Sequence, residues 1–251
     1  MIYSLMICLS VGATAGYLGS LMITKRTALL GDALGHVALP GIAIALIYSF
    51  DLSLGALMAL TIGILLIWLF EQKSKLHFEA LTGVVFTFSV ALAFVLLPEK
   101  EIHTALVGDL SKAQLLDVCI SIVVCMAIIF TVSKIYNKLI LMSLSEYLAR
   151  IEHVNIRQCN FIFLVCIALV VALGIKVTGS LLIGALVVTP AAAAKNISYN
   201  LTQYSLLSSI FGIISCVLGL IISTIISFPS GPVIIFVSSL IFFITLYVKK
   251  V

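Results

Sequence analysis

Asp32 and His36 stand four residues apart in the stretch GDALGHVALPG (31–41), inside a run that is otherwise apolar. Four residues of helix turn through about 400°, which brings both side chains to one face, one turn apart. A carboxylate oxygen and an imidazole nitrogen at that spacing suit zinc and other first-row divalent ions; carboxylate alone would suit calcium or magnesium better. The same pair could relay protons, because ionisable groups within a membrane span mark transport paths. A structural role is open at this point too: Asp32 could cap a helix beginning near Thr27, and His36 could hydrogen-bond a neighbouring helix. Pro40 has a backbone consequence. It lacks an amide hydrogen, so the carbonyl four residues earlier, that of His36, loses its helical donor. Gly31, Gly35 and Gly41 remove bulk from the same segment and allow a close neighbour.

The elements that carry these residues are dictated by composition. Of 251 residues, 63% are apolar and 10% charged, and the mean hydropathy is +1.30. Repeated apolar runs of roughly 17 to 23 residues suffice to cross a bilayer core of about 30 Å. Lipid offers no hydrogen-bond partners, so such runs must be helices or a closed barrel. Barrel strands would alternate apolar and polar positions, and these runs do not. The chain is therefore an all-α polytopic transmembrane bundle, a single membrane domain over 1–251. Spans are expected near 2–23, 28–48, 52–70, 80–97, 115–133, 160–176, 178–194, 204–226 and 231–248.

With nine spans and the N-terminus outside, eleven of the fourteen Lys and Arg fall in inside loops. Lys100, Lys112 and Lys176 alone fall outside, which is the positive-inside pattern and puts the C-terminus in the cytoplasm. The segment 178–194 is short, Gly-rich and broken by Pro190, so it could be re-entrant and reduce the count to eight. The first run reads as a retained span rather than a cleaved signal. The six cysteines are scattered without a C-x-x-C pair and read as small packing residues. The net charge of +4 lies in the loops, and no nucleic-acid partner is expected.

Two loops stand out. The outside loop 98–114 gathers Glu99, Glu101, His103 and Asp109, and could collect cations at the membrane face, with His103 and Asp109 as a possible first contact for metal. The inside segment 133–160 contains a capped helix starting at Ser143 or Ser145, and 143–155 reads as a docking surface. Glu152 and His153 are adjacent, so they point apart on a helix. His77 and Glu79 read as a solvated loop. No G-x-x-x-x-G-K-[ST] occurs, so the chain has no P-loop of its own. No G-x-S-x-G or H-E-x-x-H occurs either, and nothing argues for catalysis.

At these residues the sequence resembles the ABC-3 family, the membrane permeases of zinc, manganese and iron ABC uptake systems. LLGDALGHVALPGIAIAL resembles the family's Asp-Ala-x-Ser-His-Ala-x-x-Pro-Gly signature. TALVGDL resembles a Phe-Gly-Asp block, GSLLIGALVVTPAAAAKNIS a small-residue helix with proline, and FPSGPVIIF the turn before the last span. The zinc-uptake branch is the most similar. The resemblance implies a type II importer arrangement in the plasma (inner) membrane: a homodimer or a pair of related permeases, two ATP-binding cassette ATPase subunits below, and an extracytoplasmic metal-binding protein docking above. It implies no permanently bound cofactor, the metal (zinc, alternatively manganese or iron) being cargo. It also implies that Asp32 and His36 form part of the metal path. SEYLARIEHVN resembles the coupling helix that sits on the ATPase, with Glu146, Ala149 and Arg150 at matching positions. Two positions depart: Gly35 stands where Ser is frequent, and His153 where a Gly commonly supplies the left-handed end of the coupling helix. Two rival functions follow from the same residues, a proton-coupled secondary carrier using Asp32 and His36 as a relay, and a permease for a metal chelate.

Overall fold

A computed structural model describes residues 2–74, 78–96, 114–180 and 182–248. All the described regular structure is helical: α1 (Ile2–Thr24), α2 (Leu29–Val37), α3 (Leu39–Ile47), α4 (Leu52–Lys73), α5 (Phe78–Leu96), α6 (Leu115–Leu144), α7 (Glu146–Ile151), α8 (Ile156–Thr178), α9 (Ile183–Ile197), α10 (Leu201–Ile226) and α11 (Ser230–Val248). Among the described residues seven segments are long and apolar enough to cross a membrane, α2 and α3 together forming one of them. Two apolar helices are shorter, 80–96 and 183–197. They occupy the fourth and seventh of the nine expected spans, so the count of eight or nine is corrected to seven full-length candidates and two short ones. The physical cause at the second is visible: α8 ends at Gly179, whose φ is 84°, and α9 begins only at Ile183 and contains Pro190.

Helix starts follow local chemistry. Asp51 caps α4 by accepting from the Ser53 and Leu54 amides, and Asn155 and Asn200 cap α8 and α10 from the amides three residues on. Gln114 and Asp117 form a capping box at α6.

Polarity does not mark the buried side, since lipid-facing and protein-facing sides are both apolar. The small-residue helix α1 lies at the centre, against α6, α9 and α10. It is buried at Val11, Gly12, Ala15, Gly16, Leu18 and Gly19. Helix α4 lies against α3 and α8, α5 covers α2 and α3, and α11 closes on α9 and α10.

Candidate metal site

The helix that carries Asp32 and His36 is divided. It breaks at Ala38, and Pro40 falls in the first turn of α3, where a missing amide hydrogen costs least. The backbone ladder resumes directly, Ile42 N–H donating to Ala38 O at 3.1 Å.

Asp32 lies in the first turn of α2 and is exposed on the surface of the single chain. It does not cap that helix: the N-cap is Ala28, with no side-chain capping bond. Among the described residues Asp32 has no hydrogen-bond or ion-pair partner. His36, one turn on, is half-buried, with its ring edge-on to Phe86 of α5 at 5.2 Å between centroids and 74° between planes. The two side chains share a face, as their spacing requires.

The backbone beneath them is held by α9, which runs antiparallel to α2 along this contact. A Cβ on Gly184 would lie 2.5 Å from Asp32 Cα, and one on Gly35 would lie 2.5 Å from Ser180 O. Glycine at both positions is what lets α2 and the start of α9 touch backbone to backbone. The departure at Gly35 thus has a local cause here, because a serine Cβ would meet the Ser180 carbonyl. Among the described residues no group of three or more His, Cys, Asp or Glu is placed to hold a metal. Asp32 and His36 supply two donors, one oxygen and one nitrogen.

The predicted docking helix is α7, six residues long and capped by Ser145, whose Oγ accepts from the Leu148 amide at 3.4 Å. Ala149 is fully buried, while Glu146 and Arg150 are exposed. Tyr147, Leu148 and Ile151 are exposed as well, an apolar face outside the spans. Its end is closed by His153 in the left-handed conformation at φ 52°. His153 N–H donates to Arg150 O at 3.1 Å and Val154 N–H to Ala149 O at 2.9 Å, the paired bonds of a Schellman motif. The glycine expected there is not needed, since His is among the residues that visit this region more readily than most. His103, Asp109 and His77 lie outside the described residues.

Two charged clusters escaped the sequence reading. Lys176, at the end of α8, donates to Asp51 Oδ2 at 2.8 Å and to Asp117 Oδ1 at 2.7 Å, joining the starts of α4 and α6 to the end of α8. Acids at helix starts and a base at a helix end are each favoured by the helix dipole. At the opposite end of α8, Lys25 Nζ donates to Asn160 Oδ1 at 2.7 Å and lies 5.2 Å from the Phe163 ring centroid. Burial pulls the Lys25 ammonium down to about 8, against the opposing pull of Cys159, Glu146 and Glu71. The local signals, Asp before Leu-Ser and Lys-Arg after a span, carried no hint of partners more than a hundred residues away.

The model of the ABC 3 transport family matches residues 1–249 of the chain. The manganese transport system membrane protein MntC of Listeria innocua is 28% identical over 96% of this chain and 88% of that protein. The high-affinity zinc uptake system membrane protein ZnuB of Buchnera aphidicola is 28% identical over 92% of this chain and 90% of that protein. Among solved structures, PsaBC from Streptococcus pneumoniae in complex with Fab superposes with a TM-score of 0.85 at 26% identity, covering 98% of this chain and 91% of that one.

Proposed function

The chain belongs to the ABC 3 transport family, and on that premise we propose that it is the membrane permease subunit of an ATP-driven importer of a divalent metal ion. The observation that carries the reading is Asp32: a carboxylate in a membrane helix, without a protein partner among the described residues, one turn from His36. An ionised group in that position is costly unless a cation or an aqueous path meets it. Asp32 offsets charge on the ion, and His36 contributes a nitrogen donor. Two donors are too few for a closed site. The exposure of Asp32 on the single chain fits completion by a second copy across a two-fold axis.

The partners follow from the same premise. ATP is hydrolysed on a separate cassette subunit that seats on α7, where Ala149 is buried, Arg150 is exposed with Tyr147, Leu148 and Ile151, and Glu146 is exposed at the edge next to the Lys25 cavity. The ion is handed over by an extracytoplasmic metal-binding protein near the 98–114 loop, with His103 and Asp109 as first contacts. A cytoplasmic C-terminus is the orientation that the loop charges favour. Zinc is the cargo proposed, since a nitrogen donor favours a borderline ion over a hard one. Manganese, named in the Listeria relative, is the outcome that would displace it.

The test is uptake into proteoliposomes holding this chain and its partner ATPase. ATP-dependent zinc uptake that exceeds manganese uptake is expected. Uptake driven by a proton gradient without the ATPase would overturn the reading in favour of a secondary carrier.

A further inference from the structure

Lys25 belongs to the turn that leads into the Asp32 helix, and that turn is stiff. Thr27 N–H donates to Met22 O at 2.8 Å, Leu30 N–H to Thr27 O at 3.1 Å, and Arg26 between them is left-handed at φ 59°. A displacement of Lys25 is therefore passed to α2 rather than absorbed.

The Lys25 side chain faces a cavity of about 220 Å³ whose walls include Thr27, Met142, Ser143, Glu146 and Asn160. One wall is the stiff turn, another the end of α6 and the first residue of α7, and the third is α8. Glu146 is on this cavity but not at ion-pair distance from Lys25; the ion pairs among the described residues are those of Lys176. It is close enough to act on the ammonium through space, as are Cys159 and Glu71. Of the two carboxylates, Glu71 of α4 also faces Arg157, whereas Glu146 opens α7, a short helix among the described residues that packs on the spans through the buried Ala149. The bond to Asn160 is assisted by the ammonium charge alone, whereas a carboxylate at the same distance would add the attraction of a second, opposite charge.

We propose that Lys25 is a positioning residue that links α7 to α2, exchanging its Asn160 bond for the Glu146 carboxylate as α7 moves against the bundle and the cavity closes. This rests on the reading of α7 as the seat of the ATPase. The link gives movement at the ATPase a direct mechanical route to Asp32, seven residues along from Lys25.

The experiment uses the chain reconstituted with its partner ATPase, with zinc as the probe, reading zinc-stimulated ATP hydrolysis and zinc uptake together. Lys25→Glu and Glu146→Lys each lower stimulation by about tenfold, and the double exchange recovers most of it, because directly coupled residues are non-additive. Additive losses in the double variant overturn the link while leaving the permease reading intact. Absence of zinc or manganese stimulation in the wild-type complex overturns the permease reading and this proposal with it. Where a charge exchange fails to assemble, Lys25→Cys with Glu146→Cys serves instead, in a background carrying Cys159→Ser so that the native thiol beside Lys25 does not compete. A short bifunctional thiol reagent bridges the pair more efficiently in the ATP-bound complex than without nucleotide, and a yield independent of nucleotide overturns the proposal. Lys25→Arg, which keeps charge and reach, retains at least about a third of the stimulation.

Discussion

Asp51 and Asp32 both stand at the starts of apolar helices, and their surroundings treat them in opposite ways. Asp51 accepts from two backbone amides of its own helix and from the Lys176 ammonium. Asp32 accepts from none of these kinds of donor among the described residues, and Ala28 stands at the cap position of its helix. The first is an acid used up by the architecture. The second is held in place by backbone contacts through Gly184 while its oxygens stay open. In a low-dielectric setting a carboxylate without a donor is a standing cost, and the fold bears it at one place and removes it at the other. What separates the two acids is the donor count, and it is the unpartnered one that the proposed function uses.

The sharpest way to break that contrast is Asp32→Asn. It should lower zinc uptake by about 100-fold, the upper end of what loss of a metal-site group costs, while leaving the melting temperature of the purified chain within about 1 °C, as an exposed, unpartnered position allows. An equal loss of stability and uptake would make Asp32 structural like Asp51. Next comes Gly184→Ala. Its Cβ would press on Asp32 Cα, so overpacking should cost about 1–3 kcal/mol and uptake should fall with it, read by melting and by transport on the same sample. Lys176→Met should do the reverse of Asp32→Asn. It strands two acids but spares the pair, and because all three side chains keep some contact with water the cost should be about 1 kcal/mol, seen as lower thermal stability with zinc affinity unchanged.

A further effect is in pH. Lys25 titrates near 8 when folded, below its ordinary value of 10.5, because burial disfavours the ammonium. Between those values the unfolded chain binds more protons than the folded one, so stability should rise with pH across that window. It is lost again as pH falls through 8. Lys25→Met should flatten that rise in denaturation curves taken from pH 7.5 to 10.5.

What could be read from the sequence was what is local. Spacing put Asp32 and His36 on one face, Ser145 began α7, and the apolar runs located the helix ends to within about five residues except at α6, which runs on to Leu144 where an end near 133 was expected. What could not be read was non-local or depended on shape. Lys176 counted as a loop charge, yet its partners Asp51 and Asp117 lie 125 and 59 residues away. No polarity contrast marks which side of α1 faces protein, since lipid is as apolar as the core. Pro190 and Gly179 signalled a broken segment without saying that α9 would come out at 15 residues. At His153 the expectation of glycine was set by backbone need, and the backbone need is met by histidine.

The seating of α2 on α9 fixes how this part of the molecule can move. With Gly184 under Asp32 and Ser180 under Gly35, the two segments have no side-chain cushion between them and must travel as one plate. That plate has a break at each margin: Ala38, where α2 gives way to α3, and Gly179, where α8 ends with φ 84°. On the proposed reading, a change of access at Asp32 would therefore be a tilt of this unit as a whole and not an unwinding of α2.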